Sequence, residues 1–442
     1  MTRVPLMVNA FDAAAATDLS PATQSLLERR ARVLAPSYRL FYERPVRFVR
    51  GQGVRLYDET GTPFLDVYNN VPAVGHCHPH VVEAQSRQAA LLNTHTRYLS
   101  DVILNYAEKL IGTFPAPLSK VMFTCTGSES SDLAFRIART HTRGTGLIVT
   151  SNAYHGITAA VAEASPSLGA GVPLGAHVRV VPAPDRYRST SSDLGAEFAV
   201  NVQAAIDDLV RHGLKPAALI FDTVFSSDGI LSDPPGFIAK AVETIRAAGG
   251  LFIADEVQPG FGRLGESMWG FGRHEVVPDL VVLGKPMGNG LPIGGVVARP
   301  EVLEEFASTA RYFNTFGGNP VCCAAALAVL EVIESESLIR NAQTVGAYLQ
   351  SGLRELAQTE HRIGEVRGAG LFIGVDLVKS RKTREPDHAT GLAIVNRLRD
   401  KQVLISASGP LGHVLKIRPP LPFSHRDADE FLQKLTEVFQ EL

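Results

Sequence analysis

Cysteine is scarce in this chain of 442 residues: only Cys77, Cys125, Cys322 and Cys323 are present. None forms a C-x-x-C pair, and the adjacent Cys322 and Cys323 are poorly disposed to bridge each other. A disulfide framework is therefore not expected, and a reducing compartment, the cytoplasm, is. Neither sign of charge is in surplus: 43 lysines and arginines face 45 aspartates and glutamates, a formal net charge of −2. That balance gives no electrostatic reason to expect nucleic acid or an anionic membrane as a partner. No apolar run approaches the roughly 18 residues that a membrane-spanning helix requires. The opening stretch MTRVPLMVNAFDAAAATDLS is interrupted by Asn9 and Asp12, so no signal peptide is expected either.

Complete nucleotide signatures are missing as well. GFGRLG (260–265) matches G-x-G-x-x-G, but Asp255 to Pro259 separate it from the strand before it. Met268-Trp269-Gly270 then fails to continue as a helix, which excludes a dinucleotide fingerprint. LFIADE resembles the strand of a Walker B element, yet no G-x-x-x-x-G-K-[ST] exists. LGKPMG carries Pro286 where a magnesium-binding hydroxyl belongs, so ATP hydrolysis is not expected. GHCHPH (75–80) could set His76, His78 and His80 on one face. Pro79 breaks that regularity and no second ligand group has zinc spacing, so a structural or interface role is expected, with no metal.

What the chain does have is length and alternation. Its length suggests two domains, or one large domain with a smaller one attached. Residues 1–45 read as polar and helical, with PATQSLLERRARVL amphipathic in spacing. Residues 46–70 read as a hairpin meander around Asp58-Glu59-Thr60-Gly61. From about 75 to 320, short apolar strands alternate with helical segments: KVMFTC, TGLIVTS, HVRVVPA, AALIFD, GLFIADE, DLVVLG and GGVVAR. That pattern predicts an α/β fold with a mostly parallel central sheet covered on both faces. The remainder mixes helices with GLFIGVDLV, VLISAS and VLKIRPP, an α+β piece. The expected division is an N-terminal segment (1–74), a large domain (75–320) and a C-terminal region (321–442), with both termini forming the smaller domain.

Three strands end in polar groups: Asp222, Asp255 and Lys285. Open parallel sheets bind ligands beyond the carboxyl ends of their strands. A lysine and a carboxylate there can be a buried ion pair. They can equally be two poles of a cofactor site, in which a desolvated lysine becomes a nucleophilic amine. In FTCTGSESSDLAFRIAR, a strand, Thr-Gly-Ser and a helix follow in turn. Gly127 and Ser128 then fall at a helix N-terminus, which either binds a phosphate or is an ordinary serine cap.

Taken together, LFIADEVQPGFGRLG, LGKPMGNGLPIGG and NTFGGNP resemble the class III aminotransferases. These are pyridoxal-phosphate (PLP) enzymes of fold type I. The likeness runs from LFYERPVRFVRGQG to VLKIRPPLPFS. YNNVPAVGHCHPHVV, LLNTHTRYL and GLFIGVDLVK are similar to the alanine–glyoxylate-aminotransferase-2-like subgroup, which includes both transaminases and phospho-lyases of phosphorylated amino alcohols. The resemblance implies that Lys285 carries PLP as a Schiff base and that Asp255 pairs with the pyridinium nitrogen. Gly127 and Ser128 would bind the phosphate, Tyr154 would stack on the ring, and Gln258 would lie near its 3′-oxygen. Thr315 would reach the phosphate of a neighbouring subunit, which implies a homodimer or a tetramer. Arg418 would grip a substrate carboxylate.

The chain departs from relatives at DTVFSSDG. Many carry E-P-V-Q-G-E-G-G there, so Asp222 stands for the first glutamate and Ser227 for the second, which in ornithine aminotransferase neutralises the gateway arginine. Arg418 is then expected to be unpaired, suiting an anionic substrate group. The reaction implied is amino transfer from an amine or amino acid to a keto acid such as pyruvate. The alternative is a phospho-lyase acting on a substrate such as phosphoethanolamine.

Overall fold

The structure is a computed structural model that describes residue 7, residues 9–14 and residues 19–442. The helical expectation for residues 1–6, 8 and 15–18 lies outside the described residues. The helix Pro21–Val33 forms, capped by the Ser20 hydroxyl, but buries none of its residues. Its apolar stripe, only Leu26, Leu27 and Val33 among charged neighbours, finds no core to cover.

The strands β1 (Phe48–Gln52), β2 (Arg55–Asp58) and β3 (Pro63–Asp66) make the antiparallel meander. Its turn is organised by Asp58, whose carboxylate accepts from the backbone of Thr60 and Thr62. Next come β4 (Lys120–Thr124), β5 (Gly146–Thr150), β6 (Val178–Val181), β7 (Pro216–Asp222), β8 (Leu251–Asp255), β9 (Leu280–Leu283) and β10 (Gly294–Ala298). They form one seven-stranded sheet in the order β4-β10-β9-β8-β7-β5-β6. Only β10 runs antiparallel to its neighbours, so the sheet is mostly parallel, as predicted. Strands β5, β8 and β9 are buried along their whole length, which explains why they read as continuous apolar runs rather than alternating ones. The helices Gly127–Thr142, Leu194–Arg211 and Ala239–Ala247 provide crossovers. GFGRLG forms a loop, and only a short 3₁₀ turn, Gly270–His274, precedes β9, in keeping with the rejection of a dinucleotide fingerprint.

The C-terminal region supplies β11 (Ile363–Ala369), β12 (Phe372–Ser380), β13 (Glu385–Pro386), β14 (Val403–Leu404), β15 (Ser406–Ser408) and β16 (Val414–Ile417). The path β11-β12-β16-β15 is antiparallel, with β13 on the edge of β12. β14 instead adds to β3 in parallel, joining strands from opposite ends of the chain. The long helix Pro320–Ser335, buried on most of its faces, links the two regions. The three histidines of GHCHPH find separate carboxylates: His76 with Asp66 at 2.7 Å, His78 with Glu336 at 2.9 Å and His80 with Glu331 at 2.6 Å.

Candidate active site

Asp222 and Asp255 are register partners at the ends of adjacent strands β7 and β8. Lys285 follows β9, the next strand over, so all three polar ends meet at one edge of the sheet. The Pro/Gly loop after Lys285 turns back at Asn289, which has a positive φ of 49°. Asn289 accepts from the Val74 amide at 3.0 Å and donates to the Gly75 carbonyl at 2.9 Å, pinning the loop to the residue 71–75 segment. A cavity of about 250 Å³ opens there, and Gly127, Ser128, Tyr154, Asp255, Gln258 and Lys285 all line it.

At one end of this cavity is the N-terminus of helix Gly127–Thr142. Thr126 caps it by accepting from the Glu129 amide at 3.1 Å. The first-turn N–H groups of Gly127 and Ser128 have no partner within the helix. Backbone is crowded closely around them. A Cβ on Gly156 would come within 2.6 Å of Ser128 Oγ, and one on Gly284 within 3.0 Å of the Gly127 nitrogen. Gly156 also has a φ of 146°, which side chains disfavour. The cap and the anion cradle are thus one device: Thr126, rather than Ser128, is the cap, and the Ser128 hydroxyl accepts from the Ile157 amide at 3.2 Å.

Asp255 is buried and its carboxylate is held from two sides. His155 Nδ1 lies 2.7 Å from Oδ2, and the Val257 amide donates to Oδ1 at 3.1 Å. His155 is itself buried, with Nε2 unpartnered. Sequence reasoning passed over His155 and Val257, although both adjoin residues it singled out. Lys285 exposes its side chain to the cavity, yet protein surrounds that cavity. This desolvation, followed by the nearby Arg418 cation, lowers its proton affinity, while Asp255 and Asp222 oppose the shift. Its Nζ stands 6.0 Å from the centroid of the Tyr154 ring.

Arg418 follows β16 and is 5% exposed. It donates to the Tyr68 carbonyl at 3.2 Å and to the Gln258 side-chain oxygen, and no carboxylate of the described residues pairs with it. Gln258 therefore connects the cavity wall to Arg418. Thr315 stands apart, exposed on the segment before Asn319 and outside this cavity's lining. Its neighbour Asn314 donates to Glu129 in the first turn of helix Gly127–Thr142.

These features fit PLP. An anion cradle, a carboxylate oriented by its neighbours and a deprotonation-prone lysine share one cavity, and the glycines that crowd the cradle leave no room for side chains. The fold and site define a PLP-dependent enzyme of fold type I. The class-III aminotransferase family model matches residues 41–439, and the chain belongs to that family. It is similar to a Drosophila melanogaster protein named alanine–glyoxylate aminotransferase 2-like, 41% identical over 94% of this chain and 87% of the relative. It is similar too to the Caenorhabditis elegans ethanolamine-phosphate phospho-lyase homolog 1, 37% identical over 96% of this chain and 95% of the relative. Among solved structures, a phospholyase from Arthrobacter in complex with phosphoethanolamine superposes with a TM-score of 0.91. It is 44% identical, with 94% of this chain and all of that chain covered.

Proposed function

We propose that the enzyme is a phospho-lyase that removes phosphate from a phosphorylated amino alcohol such as phosphoethanolamine. The observation that carries this reading is Arg418, a buried guanidinium beside the cavity with no salt-bridge partner among the described residues, with Ser227 at the position where the resemblance implies an acid in many relatives. The similarity to two proteins named as phospho-lyases supports it.

PLP, when bound, supplies an electron sink for charge developing on the substrate carbon that bears the amine. Gly127 and Ser128 would hold its phosphate, Asp255 would pair with its ring nitrogen, Tyr154 would stack on the ring and Gln258 would lie by the 3′-oxygen. Lys285 holds it at rest. The Lys285 amine, when not holding the cofactor, would take the proton from the amine-bearing carbon. Phosphate leaves the adjacent carbon with the C–O bonding electrons. In net terms phosphoethanolamine and water give acetaldehyde, ammonia and phosphate.

Amino transfer to a keto acid such as pyruvate is the second reading. It is favoured by the fork geometry of Arg418, which suits a carboxylate as well, and by the name of the Drosophila relative. One experiment decides between them. The PLP form is incubated with phosphoethanolamine, and separately with an amine plus pyruvate. Phosphate release without alanine supports the lyase; alanine without phosphate selects amino transfer.

We also infer a homodimer in the cytoplasm, with 1–74 and 321–442 acting as a small domain on the large domain 75–320. Thr315 is flanked by the exposed Phe313 and Phe316, and Tyr98 and Leu99 are exposed nearby. The His95 ring touches both Phe313 and Tyr98, so these residues form one apolar surface. All four cysteines are free, and no helix among the described residues is long and apolar enough to cross a membrane.

A further inference from the structure

GFGRLG (260–265) is no dinucleotide fingerprint, yet its glycines and its one charge are closely fitted. The chain turns through Phe261, Gly262 and Gly265 at φ values of 62°, 77° and 75°, a region that glycine enters readily. A Cβ on Gly262 would come within 2.5 Å of Ile339, and one on Gly265 within 2.5 Å of the Gln343 nitrogen. The loop therefore lies directly against the helix Leu338–Thr359. Between the two glycines, Arg263 is turned into the protein and is 2% exposed.

The Arg263 guanidinium sits where β16 ends. The β12–β16 register pairs Ile373 with Ile417. Continued outward, it sets Phe372 across from Arg418 and Leu371 across from Pro419. Pro419 has no N–H to close that last rung. Arg263 Nη1 supplies the donor instead, 3.2 Å from the Leu371 carbonyl and 2.6 Å from the Pro419 carbonyl. The Leu371 amide donates back to the Arg263 carbonyl at 3.0 Å. Both strands are thus clasped just beyond Arg418. Residues 259–262 alone separate Arg263 from Gln258, whose side-chain oxygen accepts from Arg418. The two ends of the Gln258–Arg418 contact are therefore tied to each other through Arg263. Burial, and then the neighbouring Arg418 cation, lower the proton affinity of Arg263 to about 9, against the opposing Asp66. A charge is costly to bury there, and a fork of N–H donors is what an apolar side chain of similar length lacks.

We propose that Arg263 is a positioning residue for the anionic end of the substrate. It holds the end of β16 against the loop that follows Gln258, and so sets where Arg418 presents its guanidinium. This rests on the reading of Arg418 as the group that takes the substrate's anion, and it holds for a phosphoryl group and for a carboxylate alike.

The test is a double-mutant cycle read by calorimetric binding to the holoenzyme. The probes are 2-hydroxyethyl phosphate and 3-hydroxypropionate, anions with no amine to react with the cofactor. The chains are the parent, Arg263→Met, Arg418→Ala and the double variant, with Arg263→Lys alongside. Arg418→Ala should weaken the better-bound probe at least about tenfold. Arg263→Met should weaken it about fivefold or more in the parent, and by under about twofold once Arg418 is replaced by alanine. Arg263→Lys, which returns an N–H donor to the two carbonyls, should fall between Arg263→Met and the parent. An Arg263→Met affinity within about twofold of the parent's, or an equal loss in both backgrounds, overturns the proposal. Should Arg263→Met fail to fold, the cycle is run with Arg263→Lys; failure of both to fold makes Arg263 a folding residue and overturns the proposal too. A parent that binds neither anion, or an Arg418→Ala chain that binds both as the parent does, removes the reading of Arg418 and this proposal with it. A loss in Arg418→Ala with none in Arg263→Met overturns the positioning role and leaves that reading standing.

Discussion

Lys285 answers for its position in three ways: it follows a buried strand, it opens into a cavity, and its surroundings lower its hold on a proton. Replacing it should remove both the covalent anchor and the proton carrier. Lys285→Ala is expected to lose the visible absorbance of lysine-bound cofactor and at least about a thousandfold in turnover. Borohydride reduction and peptide mapping of the parent should label this lysine alone; substantial activity in the variant refutes the assignment. Asp255 works through charge, and His155 through Asp255. Asp255→Asn should retain cofactor but lose about a hundredfold or more in rate, because a neutral amide cannot hold the ring nitrogen in its cationic form. His155→Gln can still offer a donor to Asp255, so it should retain far more activity than His155→Leu. Similar rates in those two variants would mean that His155 merely fills space.

The elements around the site differ in how clearly the sequence announces them. Strands β7, β8 and β9 are legible because burial on both faces demands continuous apolar runs, and Asp222 and Asp255 at the ends of β7 and β8 and Lys285 just beyond β9 break those runs visibly. The helix at Gly127 is legible from its own cap and glycine. The burial of Lys416 is not, because it depends on a β12–β16 pairing that spans a long loop and leaves no local periodicity. The β3–β14 pairing is hidden for the same reason, with more than three hundred residues between its partners. Thr315 carries no local signal either, since its proposed partner is on another subunit. Arg418 shows what β16 contributes when read with the loop after β7. Arg418→Ala should weaken anionic substrates by at least about tenfold. Ser227→Glu should reproduce part of that defect by giving the guanidinium an internal competitor. Steady-state KM values for phosphoethanolamine and for pyruvate check both, and two variants indistinguishable from the parent would remove Arg418 from the substrate site.

At the scale of the whole molecule, the N-terminal strands, the parallel sheet and the C-terminal sheet meet at this one site. Thr315 extends the question to a second copy. Co-expressed Lys285→Ala and Thr315→Ala chains should form mixed dimers in which one of the two sites has an intact lysine and an intact partner threonine. Turnover above that of either variant alone is expected, and its absence argues that Thr315 serves no neighbouring site. Stability should carry a signature of the buried acids beneath the site. Glu256 accepts from the Gly270 and Phe271 amides and from the Thr223 hydroxyl. Burial nonetheless pushes its carboxyl up to about 8, and Asp228, bonded to Thr150 and Asn152, is pushed up to about 6. Both lie above the values of roughly 4 that an unfolded chain would show. Between those limits these two carboxyls hold more protons in the folded chain than in the unfolded one, so their contribution to stability falls as pH rises. The decline begins near pH 4, continues to about pH 8 for Glu256 and then levels off. His274, pushed down to about 4 by burial, contributes in the opposite sense below about pH 6.5, so the carboxyls are read from the change in unfolding midpoint between pH 7 and pH 8 at one fixed scan rate, compared between the parent and Glu256→Gln. Glu256→Gln, which cannot titrate, should make that change less negative while keeping an acceptor for the Gly270–Phe271 turn. A slope unchanged by the substitution would place the proton uptake elsewhere, and a slope made more negative by Glu256→Gln would contradict the sign itself.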